Sequence, residues 1–267
     1  MESSFGRAEF VGVIPAAGTA SRLNPSHYAK ELLPVTYQGE GTDDVLPVPV
    51  ITLSLGALRE AAVCRCIVAT SDRKPELMRY LGDGSEFGLQ LSYVLQPMPS
   101  GLSSAIDLVY PWVRGCHVCL LLPDTIVRPT SAMSTLRFVM EMEQPDLVLG
   151  VFPTSVPERL GPVRFNHDCR VTEVLDKPMV SDVYNTWAMA IWSTAFADLL
   201  HGAVSNASTG GKPLGEIFNL AVQVGMNVRA VWFASGSFID IGTSEGIVQM
   251  IKASWGTPDK EATCRIS

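Results

Sequence analysis

Short apolar runs alternate with stretches of helical periodicity along most of the chain. The runs Phe10–Pro15, Cys66–Ala69, Leu91–Leu95, Val118–Leu122 and Leu147–Phe152 are compact and rich in Val, Ile and Leu. That is the pattern of strands buried on both faces. Between them, Val50–Ala61, Pro75–Leu81, Leu102–Val109 and Ala132–Met142 read as helices, the first preceded by Pro47 and Pro49 and the third entered through Ser100-Gly101. This alternation predicts βαβ units around a mainly parallel sheet. After about residue 153 the pattern changes. Strands are expected at Val163–Phe165 and Val171–Leu175, followed by the aromatic stretch Tyr184–Trp192. Helices at Thr194–Leu200 and Leu214–Val224, a strand at Val228–Trp232 and a last helix at Ser244–Ser254 complete the order. This second half is expected to continue the same sheet and close one side of a cleft. The polar tail Gly256–Ser267 is expected to be mobile.

With 267 residues, 47% of them apolar and 18% charged, the chain can bury a large core and is not disordered, collagenous or coiled-coil. Twenty basic against 27 acidic residues leave a formal charge of −7. The surface as a whole therefore does not recommend itself to nucleic acid or to an anionic membrane, and an anionic ligand needs a local cluster of cations and backbone N–H groups. No run of 18 apolar residues occurs, and the segment MESSFGRAEF lacks the apolar centre of a signal peptide, so a cytoplasmic location is expected. Six cysteines include Cys116 and Cys119 at CxxC spacing inside CHVCLLL. In a strand, residues three apart point to opposite faces, so these two read as buried free thiols, not as a metal or disulfide pair. The four histidines (His27, His117, His167, His201) show no i, i+4 pair and no nucleophile elbow, which leaves a zinc site or a hydrolase triad unsupported.

In an open parallel sheet, ligands bind beyond the carboxyl ends of the strands. Pro15 to Arg22 leaves the first strand through small residues, Ala16, Ala17 and Gly18 among them, and suits close backbone approach to phosphate; it also suits a plain packing turn. Lys30, just before the apolar run LLPV, reads either as a cation turned back toward that loop or as a surface lysine. Asp124 and Asp240 are lone acids beside apolar segments, in LLLPDT and FIDIGT. Together they fit an Mg²⁺ site, which takes one or two carboxylates plus substrate phosphates, and each fits a helix cap or turn acid equally well. Asp176-Lys177-Pro178 offers a cation beside a turn, and a surface turn is the ordinary reading.

Taken together, these strings resemble the sugar-phosphate nucleotidylyltransferases, most closely the bacterial glucose-1-phosphate thymidylyltransferases, over roughly residues 10 to 254. PAAGTASRLNP and KELLPV are similar to that family's G-G-x-G-T-R-L-x-P loop and its P-K-x-L-L-P-V. YLGDGSEFGLQLSYVLQPMPSGLSSAI, LLPDTIV, VPERLGPVRF, LDKP and FIDIGTSEGI follow in the family's order. The resemblance implies a Rossmann-like three-layer sandwich with a mainly parallel mixed sheet. It implies one domain over residues 1–255, with a nucleotide-binding half at 10–152 and a sugar-binding half at 153–255.

It further implies an Mg²⁺-dependent reaction of a nucleoside triphosphate, dTTP or UTP in preference, with a sugar 1-phosphate, releasing pyrophosphate. Under it, Ala16, Ala17 and Gly18 receive the triphosphate, Arg22 the leaving pyrophosphate, and Lys30 neutralises charge during transfer. Gln96 and the backbone at Gly101 read the base. Asp124 and Asp240 hold Mg²⁺, Lys177 and Lys212 the sugar phosphate, and Gly161 and Asp176 the sugar. Dimers or tetramers are common in the family.

The departures lie at Ala17 and Ala20 in place of glycine, Asp176 in place of Glu, Leu160 in place of Tyr, Trp187-Ala188-Met189 in place of T-G-L, and Asn219 in place of Asp. Most fall on the sugar side, which implies an acceptor other than plain glucose 1-phosphate. Two further readings stand beside this one: a cytidylyltransferase acting on a non-sugar phosphate or phosphonate, and a catalytically silent binder of nucleotide sugars. The presence of Lys30, Asp124 and Asp240 together favours a catalyst.

Overall fold

Alternate residues of the apolar strands serve two different cores, one on each face of a central sheet. The structure, a computed structural model, describes residues 8–19, 29–38, 46–98, 100–206 and 211–255. In chain order the strands of the first half are β1 (Phe10–Pro15), β2 (Pro34–Gln38), β3 (Leu46–Pro49), β4 (Arg65–Thr70), β5 (Gln90–Leu95), β6 (His117–Leu121) and β7 (Thr125–Arg128). The remaining strands are β8 (Leu147–Pro153), β9 (Val163–Phe165), β10 (Val171–Val174), β11 (Asn185–Trp192), β12 (Val228–Trp232) and β13 (Ser237–Asp240). The helices are α1 (Val50–Glu60), α2 (Pro75–Leu81), α3 (Leu102–Asp107), α4 (Tyr110–Val113), α5 (Ala132–Glu143), α6 (Thr194–Ser205), α7 (Leu214–Gln223) and α8 (Ser244–Trp255).

Seven strands form one sheet in the order β12-β8-β11-β6-β1-β4-β5. All run parallel except β11, which is antiparallel to both neighbours. Ile14, Cys66, Cys119, Val148 and Phe152 face one layer, where they meet Leu55 and Leu58 of α1, Leu77 of α2 and Leu136 of α5. Val11, Val13, Leu120, Leu149 and Val151 face the other, against Ile106 of α3, Phe196 of α6 and Ile217 and Phe218 of α7. The expected three-layer α/β fold with a mixed, mainly parallel sheet is therefore present. Gly12 lets α1 approach closely, since a Cβ there would stand 2.6 Å from Leu58 Cδ1.

Several expectations need correction. Leu91–Leu95 does not lie buried on both faces, because β5 is the sheet's edge and alternates exposed and half-buried residues. The helix expected over Leu102–Val109 ends at Asp107, and a separate turn of helix, α4, follows with Pro111 in its first turn. Of the strands after residue 153, only β11 and β12 join the large sheet; β9 and β10 pair with each other as a separate ribbon, and β13 pairs with β7. Cys116 precedes β6 and is half-buried, whereas Cys119 is buried in it; both are free thiols. The β2–β3 and β7–β13 ribbons add to the elements expected from the sequence pattern. Among the described residues, no helix is long and apolar enough to cross a membrane. The tail 256–267 lies outside the described residues.

Candidate active site

The chain runs from β1 to β4 and β5 on one side, then returns to place β6 on the other side of β1. The carboxyl ends of β1 and β6 thus flank a topological switch point, the usual crevice for a ligand in such sheets. A cleft of about 360 Å³ opens there, lined by Ala17, Gly18, Lys30, Gln96, Gly101, Asp124 and Asp240 among others. A larger cavity of about 780 Å³ lies between α1 and β7 and is lined by none of the expected catalytic, binding or metal-ligating residues.

The loop after β1 begins as a continuation of the sheet, with the Ala16 N–H donating to Ala69 C=O at 2.6 Å. Ala16 and Ala17 are buried, whereas Gly18 and Thr19 are exposed. Among the described residues, the N–H groups of Ala17, Gly18 and Thr19 find no partner. Unpaired main-chain donors on a turn form a ready anion site. Arg22 lies outside the described residues.

Lys30 opens a short 3-10 turn, Lys30–Leu32, whose Leu33 carbonyl accepts the Val50 N–H at the head of α1. Its ammonium is ion-paired with Asp124 Oδ2. Asp124 follows β6 and is 7% exposed. The β7–β13 ribbon brings Asp240 to it: Asp240 pairs with Thr125 in register, and Ile241 N–H donates to Asp124 C=O at 2.9 Å. Asp240 Oδ1 accepts the Gly242 N–H at 2.8 Å. The three charged groups surround the side-chain space that Gly242 leaves open. A Cβ on Gly242 would stand 2.5 Å from Asp124 Oδ2, 2.8 Å from Asp240 Oδ1 and 3.1 Å from Lys30 Nζ. Two carboxylate oxygens converging on one cradle, with a cation already drawn to it, fit Mg²⁺ and its preference for few carboxylates plus phosphate oxygens. No cluster of three or more His, Cys, Asp or Glu that could hold a metal ion exists among the described residues.

Gln96 is buried at the end of β5; its N–H donates to Thr70 C=O and its Nε2 to Ser100 Oγ at 3.1 Å. Gly101 precedes α3 at φ 100, a conformation open to glycine. The residues that the resemblance assigns to the sugar lie together as a second group. Lys177 N–H donates to Leu160 C=O at 2.8 Å and Leu175 N–H to Pro162 C=O at 2.9 Å, which sets Asp176 opposite Gly161. Gly161 N–H donates to Thr186 Oγ1 at 3.1 Å. Asp176 and Lys177 are exposed. Lys212 is exposed too, and its carbonyl accepts the Ser103 hydroxyl of α3 at 2.6 Å, so the segment before α7 is tied to the wall of the cleft.

Trp187 lies against Gly161, where a Cβ would stand 2.7 Å from its Cδ1, and it meets Phe218 edge-on at 5.1 Å. The β11–β8 register shifts between Trp187 and Met189, the segment where the resembling family has T-G-L. Asn219 Oδ1 accepts the Val174 N–H at 3.0 Å, so that departure serves the joint between α7 and β10.

Two buried residues beside this cleft had no signal in the sequence. Glu31 lines it next to Lys30, and Lys74, at the head of α2, pairs with Glu31 behind the loop after β1. Both were hidden by their neighbours, one inside the KELLPV string and the other ahead of Pro75, where a lysine reads as a surface residue.

The nucleotidyl transferase family model matches residues 11–254. The chain belongs to the nucleotidyl transferase family. This nucleotidyl transferase is 33% identical over 169 residues to a glucose-1-phosphate thymidylyltransferase of Neisseria meningitidis, an alignment covering 62% of this chain and 55% of that protein. A glucose-1-phosphate thymidylyltransferase of Mycolicibacterium smegmatis is 24% identical over 240 residues, covering 89% of this chain and 79% of that one. The alignment thus spans about half the length of the Neisseria relative. Among solved structures, a UDP-glucose pyrophosphorylase complexed with UDP-glucose superposes with a TM-score of 0.75 at 17% identity, covering 93% of this chain and 99% of the other. A UTP-bound UGPase from Acinetobacter baumannii superposes at 0.71 and 18% identity, covering 94% and 95%. These likenesses establish the nucleotidyl transferase fold that the sequence motifs implied.

Proposed function

We propose that this nucleotidyl transferase joins a nucleoside triphosphate, dTTP or UTP, to a sugar 1-phosphate, giving a nucleotide sugar and pyrophosphate with Mg²⁺ as cofactor. The observation that carries the proposal is the convergence of Lys30, Asp124 and Asp240 around Gly242, in the cleft also lined by Ala17, Gly18 and Thr19, whose N–H groups find no partner among the described residues.

In this reading an oxygen of the sugar phosphate attacks the α-phosphorus in line. The new O–P bond forms as the bond to the bridging oxygen breaks, and pyrophosphate leaves with the electron pair. The attacking oxygen is already anionic, so no protein nucleophile or general base is needed; positioning and cancellation of charge suffice. Lys30 supplies a cation beside the reacting phosphates, and the loop N–H groups after β1 receive the triphosphate oxygens. Asp124 and Asp240 would hold Mg²⁺, which when bound would supply further neutralisation of the phosphate oxygens. Gln96 suits a pyrimidine imide, because its amide can donate and accept at once. Lys177, with Lys212, binds the acceptor phosphate, and Gly161 and Asp176 meet the sugar.

Trp187 packed on Gly161 replaces a small polar residue of the resembling family, and the acceptor is accordingly a phosphorylated sugar other than plain glucose 1-phosphate. The test is pyrophosphate release with Mg²⁺ and each of dTTP, UTP, CTP, ATP and GTP against a panel of sugar 1-phosphates and other phosphorylated metabolites. Release with dTTP or UTP and one preferred acceptor is expected. Silence across the panel with nucleotide binding intact would turn the assignment to a binding protein.

A further inference from the structure

Beneath the loop after β1 lies an ion pair that the proposed mechanism does not use. Lys74 Nζ donates to Ala16 C=O at 2.7 Å and to Glu31 Oε1 at 2.8 Å. Lys74 is 7% exposed and Glu31 is fully buried. The second carboxylate oxygen of Glu31 is buried with no hydrogen-bond partner. Taking two charges out of water is costly, and a well-packed apolar pair of similar volume often serves stability as well or better. Stability alone therefore does not account for this pair.

Its contacts suggest what does. Lys74 is held at the head of α2, its own N–H donating to Ser71 C=O at 3.1 Å and its carbonyl accepting the Leu77 N–H at 3.1 Å. From that anchor the ammonium reaches the last loop carbonyl that still follows the sheet. In a trans peptide, the carbonyl of one residue and the N–H of the next point in opposite directions. Holding Ala16 C=O on Lys74 therefore fixes the Ala17 N–H on the opposite side of that peptide, and Ala17 lines the cleft. Glu31 keeps the ammonium in place and belongs to the same 3-10 turn as Lys30. One buried pair thus joins the anion-binding loop to the turn that presents the reactive-site cation.

We propose that Lys74 and Glu31 are positioning residues for the nucleoside triphosphate, Lys74 by orienting the Ala16–Ala17 peptide and Glu31 by holding Lys74 and the turn that carries Lys30. The proposal rests on the nucleotidyl-transfer reading of the cleft. It is tested by calorimetric titration of dTTP and UTP with Mg²⁺ into the full chain and its variants, alongside thermal unfolding and the acceptor KM. The apolar double variant K74M/E31M is expected to keep or raise the melting temperature while weakening triphosphate binding at least tenfold, with the acceptor KM unchanged. K74R, which retains a cation within reach of Ala16 C=O, is expected to stay within about threefold of the parent protein.

Parental triphosphate affinity in a folded K74M/E31M overturns the proposal. Should that variant fail to fold, isosteric E31Q decides: a loss of triphosphate affinity of threefold or more with unchanged acceptor KM supports the proposal, and parental affinity refutes it. Failure of the parent protein to bind either triphosphate refutes the underlying reading as well, and is distinguished by appearing before any substitution is made.

Discussion

Lys30 and Asp124 meet across the cleft as an ion pair between two nearly buried side chains, 94 residues apart in the chain. The cation comes from a turn that leans on the head of α1, and the carboxylate stands at the mouth of β6. Under the proposed reaction Lys30 would also face the phosphates of the triphosphate, and Asp124 would serve as a carboxylate ligand for Mg²⁺. Asp124→Asn is expected to abolish Mg²⁺-dependent pyrophosphate release while nucleotide affinity persists. Lys30→Met should lower kcat by about 10²–10³-fold, the range seen when one preorganised charge-stabilising donor is removed. Substantial turnover in either variant would remove these residues from the reaction.

Gly242 is a separate test of the same centre. Its missing side chain is the space on which Asp124 Oδ2 and Asp240 Oδ1 converge, with a Cβ only 2.5 Å from the former. Gly242→Ala should leave the fold intact, because the crowding falls on side-chain ends, yet raise the Mg²⁺ concentration needed for half-maximal activity by about tenfold or more. An unchanged Mg²⁺ titration would show that the cradle is not the metal site.

Gly161 and Trp187, where the acceptor is proposed to bind, share one space. Gly161→Ala forces a Cβ to 2.7 Å from Trp187 Cδ1. Overpacking of this kind costs about 1–3 kcal/mol, a fall in Tm of roughly 2–10 °C for a chain of this size. The second variant G161A/W187L, which removes the ring, should recover most of the loss and change the order of preferred acceptors. An unaltered Tm in Gly161→Ala would contradict the packing described.

Thiol chemistry should divide the cysteines sharply. Burial pushes the Cys66 and Cys119 thiols up, Cys119 to about 12, and thiolate is the reactive species. In the native protein a water-soluble disulfide reagent should modify exposed Cys64 at once and leave Cys66 and Cys119 untouched until the chain is unfolded. Rapid native labelling of either buried residue, located by peptide mapping, would contradict their placement in β4 and β6.

Acid should weaken the fold partly through His117. Burial pushes its imidazolium below the ordinary 6.5, against the opposing effects of a hydrogen bond to the Trp192 backbone and the charge of Glu141. The unfolded chain takes up this proton near pH 6.5 and the folded chain only at lower pH. Stability contributed by the neutral ring is therefore complete above 6.5 and is lost as pH falls toward the folded value. The urea midpoint should decline over that window, and less so in His117→Asn. Identical pH slopes for the two proteins would show that His117 is not the group responsible.

Local regularities were legible without the fold. Pro75–Leu81 and Val228–Trp232 coincide residue for residue with α2 and β12, because a strand or helix buried along a whole face writes its own periodicity into the sequence. The family motifs likewise marked Asp124 and Asp240, beside strand ends, and Lys30, at the head of a turn. What periodicity does not carry is which distant segments meet. Thr125–Arg128 and Ser237–Asp240 are short and lie over a hundred residues apart, yet their pairing alone brings the two acids to one cradle. Lys74 reads as a surface lysine until Ala16 and Glu31 are placed beside it. Leu91–Leu95 reads as an interior strand until the sheet stops there. The sequence by itself determined which residues fold locally and which carry charge at strand ends. Only the tertiary structure decided which of those charges share a site, because a non-local contact costs loop entropy that the packing of the whole sheet must offset, and no local pattern records it.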